Sequence, residues 1–210
     1  MKNKKSSLDY RKDVRSLEVF KKNIKEETEK EKVWAEALKI DFCEKSPKNP
    51  CVIEERGVDN SGELIEGVLS KQTVDKTFRF AKGNFINIEI KTIPEYLDSF
   101  MTIKASALKV CTKEKGWLVV PKKNFYFIFP TRTCKHLYEN YSHKIYWDFE
   151  KNRGFSPNDK AVRIFSNQID ELLKQDPKKG CNPIIKKNWC KKAKDFIEVN
   201  WNILSRERSR

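Results

Sequence analysis

Histidine, glycine and methionine are scarce in this chain, at 2, 7 and 2 of its 210 residues. Two histidines are too few for sites that gather several imidazoles around a metal, which argues against histidine–metal finger nucleases and two-histidine phosphodiesterases. The glycines form no loop of the kind that cradles a nucleotide phosphate, and no Gly-x-Ser-x-Gly elbow occurs. No uninterrupted apolar stretch approaches the ~18 residues of a membrane span. The basic opening "MKNKKSSLDYRKD" lacks the apolar segment of a signal peptide. A soluble, cytoplasmic protein with no membrane partner is the expectation. Six cysteines are too few for a disulfide scaffold at this length. Cys134, with His136 and His143 close by, could be joined by Cys181 and Cys190, but the spacing matches no compact zinc pattern. Reduced, buried cysteines are expected instead.

Positive charge is abundant. The net charge is +14 and the pI about 9.4, an excess that favours a polyanionic partner, nucleic acid before membrane. Acidic residues stay numerous up to residue 100 and basic ones dominate afterwards. The length suits one domain, read as an N-terminal helical segment (1–45), a core (46–130) and a basic, helical C-terminal part (131–210).

Local patterning fills in the elements. Tyr10, Val14, Leu17, Phe20 and Ile24 recur at helical steps from Ser7, and Val33, Trp34, Ala37 and Leu38 resume the stripe to about Ile40. The charged "KEETEKEK" between them leaves open one helix or two, and reads as a solvated face. "CVIEE" begins a region of short apolar runs around the turn signal Asp59-Asn60-Ser61-Gly62. "KTFRF" and "NFINIEIKT" alternate as strands joined by a turn at Lys82-Gly83-Asn84. "YLDSFMTIKASALKVC" reads as helix, and "GWLVV" and "FYFIF" as buried strands, the second central. "NDKAVRIFSNQIDELLKQ" and "KNWCKKAKDFIEVNWNILS" read as two further helices. The order points to an α/β fold, with α+β as the alternative, built on a central mixed β-sheet flanked by helices.

One constellation stands out. In the strand "INIEIK", Ile86, Ile88 and Ile90 share one face, and Asn87, Glu89 and Lys91 the other, which is expected to lie away from the core. Asp75 opens the preceding strand, and a hairpin turning at Lys82-Gly83-Asn84 brings it across from Glu89. Converging carboxylates form a hard-oxygen site suited to Mg2+, to which the Ile90 carbonyl could add a ligand. A neighbouring lysine can orient an attacking water and offset charge on phosphate.

Asp75…Glu89-Ile90-Lys91 resembles the D…(D/E)xK signature of the restriction-endonuclease-like, or PD-(D/E)XK, nuclease superfamily, over roughly residues 60 to 130. Val74 stands where the family often has proline. Within the superfamily, "GELIEG" followed by "IEIKTIP" is similar to the mismatch-repair nicking endonuclease branch. The resemblance implies a restriction-endonuclease-like core and a Mg2+-dependent enzyme that cuts double-stranded DNA to 5′-phosphate and 3′-hydroxyl ends. It implies that Asp75 and Glu89 hold metal, that Lys91 positions water, and that an upstream helical glutamate assists, Glu66 or alternatively Glu63. A type II restriction-type homodimer is the leading expectation. A structure-specific or nicking repair nuclease and a non-catalytic nucleic-acid-binding protein are its rivals. Lys104, placed on the helix after the motif, and Arg132 and Lys135, placed in loops after the central strand, are candidate DNA contacts. Trp147, Trp189 and Trp201 read as core anchors.

Overall fold

A computed structural model describes residues 17–56, 74–92, 100–141, 161–165 and 184–206. Helix α1 (Leu17–Lys45) runs through the charged stretch without a break. It contains no glycine or proline, and pairs such as Lys22–Glu26, Lys39–Glu36 and Lys45–Asp41 link neighbouring turns. Its 29 residues make a rod of about 44 Å at 1.5 Å per residue. The helix stops just before the proline-containing loop Ser46–Pro50.

Strands β1 (Cys51–Glu55), β2 (Lys76–Phe80) and β3 (Phe85–Ile90) form an antiparallel meander. The β2–β3 turn closes where the sequence predicted it, with Gly83 at φ 86°, a backbone region that side chains disfavour. Strand β4 (Phe100–Lys104) leads directly into helix α2 (Ala105–Lys113). This helix crosses over to β5 (Trp117–Pro121), which lies parallel to β3. Strand β6 (Phe125–Phe129) returns antiparallel and is followed by α3 (Thr131–Tyr141). Strand β7 (Ala161–Phe165) pairs with β4 in a separate two-stranded sheet. Strand β8 (Ile184–Asn188) completes a six-stranded mixed sheet in the order β1-β2-β3-β5-β6-β8. Helices α4 (Lys191–Val199) and α5 (Trp201–Leu204) follow it.

The sheet is covered on both faces. One face, carrying Phe78, Ile88, Ile90, Val119 and Ile128, packs under α1 and α4 around the stacked Trp34–Trp189 pair. The other carries Leu118, Val120, Phe127 and Phe129 under α2 and α3. This is an α/β arrangement, a mixed sheet flanked by helices. It corrects the expectation of a core-free second face, because Asn87 and Glu89 point towards the α2 side and are buried with it. No helix among the described residues is long and apolar enough to cross a membrane.

Three helical expectations change. Residues 100–104 are a strand, and so are 161–165 in "AVRIF". Both are rich in β-favouring residues, and each is fixed by pairing with the other across a long sequence separation. The last predicted helix begins as the end of β8 and divides at Asn200 into α4 and α5. The C-terminal part therefore contributes a strand to the main sheet as well as helices.

Asp41, fully buried on α1, ties three distant segments together. It accepts hydrogen bonds from the Tyr126 hydroxyl at 2.5 Å and the Cys190 amide at 2.8 Å, and it pairs with Lys45. Replacing Asp41 with Ala strands two inward-facing donors. We expect a loss of about 3 kcal/mol in chemical denaturation, from roughly 1–3 kcal/mol for each unsatisfied group. A loss below about 1 kcal/mol would show that water or a neighbour takes over the carboxylate's role.

Candidate active site

The register of the β2–β3 hairpin builds the site. Lys76 pairs with Ile88 and Thr77 with Asn87, so one further step sets Asp75 opposite Glu89. Opposed residues of an antiparallel pair point to the same face, and a buried polar column follows. Thr77 donates to Asn87 Oδ1 at 2.8 Å, and Asn87 donates to the Glu114 carbonyl at 2.9 Å. Asp75 lies just ahead of β2, and its Oδ2 accepts the Ile90 amide at 2.8 Å. A side chain thus takes the place of the next rung of the ladder. The N–H and C=O of one residue leave a strand on the same side, so the main-chain edge of Ile90 faces the acids.

Lys91 follows β3 directly. Its Nζ lies 2.7 Å from Glu89 Oε1 and 3.9 Å from Asp75 Oδ2. The Glu89 carboxyl pairs with Lys91 and feels the charge of Asp75 across the hairpin. Burial pushes the Glu89 carboxyl up to about 7, with Lys91 pulling it down and Asp75 raising it. Burial opposes charge on Lys91 too, but Glu89, Asp75 and Glu31 outweigh it and hold the ammonium well above the ordinary lysine range. Lys91 stays charged at any working pH.

Glu31 is the member that the sequence reading missed. Burial, then Asp75, pushes its carboxyl up to about 8, with Glu89 adding and Lys91 and Lys76 relieving. It reaches the hairpin from α1, out of the stretch read as solvated. The available signal was its spacing: Glu31 stands three residues before Trp34 and seven before Leu38, on the apolar stripe. Lys76 was also missed. It is fully buried and paired with Glu55, an ammonium inside a strand read as plain core.

The other predicted residues are dispersed. Asp59, Glu63 and Glu66 lie outside the described residues. Lys104 ends β4, one residue ahead of α2 rather than on it. Arg132 and Lys135 are exposed on the first turns of α3, not in loops. Because β6 runs antiparallel to β5 and β5 parallel to β3, α3 leaves the sheet in the direction opposite to that in which β3 ends, from Phe129, which the register sets level with Glu89 two strands away. Cys134 packs between α2 and α3, whereas Cys190 meets Asp41 across the sheet, so these two cannot share a zinc ion. His143 and Cys181 lie outside the described residues.

No family model, curated protein or solved structure matches the chain.

The donor chemistry of the cluster suits a hard divalent cation. Among the described residues no three Asp, Glu, His or Cys side chains already close on one point. Magnesium needs only one or two carboxylates, with water filling its remaining positions. Glu89 Oε2 is buried with no hydrogen-bond partner, an acceptor left for a ligand. Three acids, Asp75, Glu89 and Glu31, face Lys91, while Lys76 is shared with Glu55. The arrangement has negative charge to spare once its carboxyls ionise.

Raised carboxyl values have a definite sign in stability. The folded state holds protons that the unfolded chain releases, so the contribution of Glu89 is full below the ordinary carboxyl range. It disappears as pH rises through about 7 for Glu89 and about 8 for Glu31. In chelator, the melting temperature of the native protein should therefore fall relative to that of Glu89→Gln between about pH 5 and pH 8. A constant difference across that window would mean that Glu89 ionises as freely in the fold as in water.

Proposed function

We propose that this protein is a Mg2+-dependent DNA endonuclease that hydrolyses phosphodiester bonds, a small restriction-type enzyme working as a homodimer on double-stranded DNA. The observation that carries this reading is the Asp75–Glu89 pair, held face to face by the hairpin register with the Lys91 ammonium 2.7 Å from Glu89. The chain order supports it too. From residue 76 on, a hairpin bearing Glu89, then, after β4, a helical crossover and a buried parallel strand come in chain order, the order that the resemblance to the PD-(D/E)XK superfamily implies for this part of the chain. The net charge of +14 fits a polyanionic substrate.

Each residue has a role in this reading. Asp75 and Glu89 are the metal-binding carboxylates, with the Ile90 carbonyl on the same edge as a further oxygen donor. Bound there, Mg2+ supplies Lewis-acid activation of water and charge neutralisation at the scissile phosphate. Lys91, permanently charged, orients the attacking water and stabilises negative charge on the phosphate oxygens. Glu31 is a further helical carboxylate beside the pair, in addition to the upstream glutamate expected at Glu66 or Glu63. Its buried carboxyl can hold a water by hydrogen bond, and a cation beside it would favour the ionised form that accepts a proton. The cleaved strand ends in 5′-phosphate and 3′-hydroxyl. Cutting both strands calls for two such sites, hence the homodimer.

Incubating the purified protein with plain duplex, mismatched, nicked and branched DNA, in Mg2+ and in chelator, tests the reading. Cleavage of plain duplex at one sequence, dependent on Mg2+, is expected. Cleavage confined to junctions or mismatches would move the protein to the repair class, and binding without cleavage on any substrate would remove the enzyme. Lys91→Ala should abolish cutting while leaving DNA binding intact. Residual activity within tenfold of the native protein, a loss of about 1.4 kcal/mol or less in transition-state stabilisation, would contradict the role given to Lys91. Calcium should support binding without cleavage, because its looser coordination holds carboxylates without fixing the water. Rapid cutting in calcium alone would contradict the magnesium geometry.

A further inference from the structure

Basic residues that the sequence did not single out gather where β3 ends. Strands β3, β5 and β8 all end at the same edge of the sheet. Ile90 pairs in parallel with Val119, Pro121 pairs with Tyr126, and Phe125 pairs with Asn188. The segments that leave this edge are the β5–β6 turn, with Lys122 and Lys123, and the start of α4, with Lys191 and Lys192. Lys123, Lys191 and Lys192 are exposed. Among the described residues, no acid stands within ion-pair distance of these three.

This rim is also rigid. The Lys122 amide donates to the Phe125 carbonyl at 2.7 Å, and the Trp189 indole donates to the Lys122 carbonyl at 3.3 Å. The Lys123 ammonium sits 4.9 Å above the Trp201 ring. Buried Trp189 immediately precedes Cys190 and the first turn of α4, so one aromatic anchor fixes both lysine pairs. Preorganised cations lose less freedom on binding than lysines on a loose tail.

We propose that the β5–β6 turn and the start of α4 form a phosphate track that carries the DNA duplex away from the cleavage site along the edge of the sheet, from β3 towards β8. The proposal rests on the nuclease reading above and specifies how the substrate lies. Three strand spacings separate β3 from β8, about 14 Å at 4.8 Å each. That is roughly four base pairs of duplex at 3.4 Å rise, so the four lysines can meet phosphates flanking the scissile one. They position DNA and read no sequence.

The test combines Lys122→Ala, Lys123→Ala, Lys191→Ala and Lys192→Ala in the full chain. Binding of a fluorescein-labelled duplex of roughly 20 base pairs is followed by anisotropy in calcium over a salt series. Each lost phosphate contact lowers the slope of log affinity against log salt by about 0.9, so a drop of about 3.6 is expected for the four. In magnesium, KM should rise at least tenfold while kcat stays within about twofold. The paired control, Arg132→Ala with Lys135→Ala on α3, which leaves the sheet in the other direction, should leave the slope unchanged. A rim variant with the native slope, or a control that loses as much slope as the rim, overturns the track while leaving a DNA-cleaving native protein intact. A native protein that binds no duplex overturns the nuclease reading itself, and the track with it.

Discussion

Asp75 and Glu89 are like charges set opposite one another by the hairpin register, and Lys91, near both, makes that tolerable. Alone, the two carboxylates would repel one another. With the ammonium 2.7 Å from Glu89, the cluster sits between two states, one neutralised by protons and one neutralised by cations. Burial tips the metal-free protein towards protons, as the raised values of Glu89 and Glu31 show. A divalent cation would tip it the other way. Everything proposed about chemistry depends on this balance.

The fold serves the balance by fixing its parts on rigid elements. Hairpin register places Asp75 against Glu89, and the Ile90 amide locks the Asp75 carboxylate in place. Helix α1 delivers Glu31 from outside the sheet and is itself anchored through Asp41 to β6 and to the start of α4. The α2 crossover seals the face on which Glu89 lies, and the nearby Cys111 thiol is pushed up by its contact with Cys134, by burial and, more weakly, by the Glu89 charge. A structural clasp on one side of the sheet therefore supports a charged site at its end.

What the sequence made legible was local. The β2–β3 hairpin could be read because strict alternation and a glycine-bearing turn specify it within about fifteen residues, and the Asp75–Glu89 opposition followed from it. Strands β4, β7 and β8 were hidden, because each owes its state to a partner distant in the chain, which neither propensity nor periodicity records. The burial of Glu89 was hidden for a related reason. A polar strand face looks solvated until a crossover helix covers it. Glu31 was obscured by its neighbours: in "KEETEKEK" one inward carboxylate looks like all the outward ones. Only its phase relative to Trp34 and Leu38 distinguishes it. Arg132 and Lys135 attracted notice by following a central strand, but the antiparallel return of β6 places them on a helix that leaves the sheet opposite to the direction in which β3 ends.

The central claim, that this cluster exchanges protons for a divalent cation, can be measured directly. Titrating Mg2+ into the protein by calorimetry at about pH 7, in two buffers of different ionisation enthalpy, counts the protons released on binding. With Glu89 raised to about 7 and Glu31 to about 8, binding should release between about half a proton and about 1.4 protons per ion. Glu89→Gln should reduce both the release and the affinity. Magnesium that binds without releasing protons, or that binds Glu89→Gln as tightly as the native chain, would contradict the account.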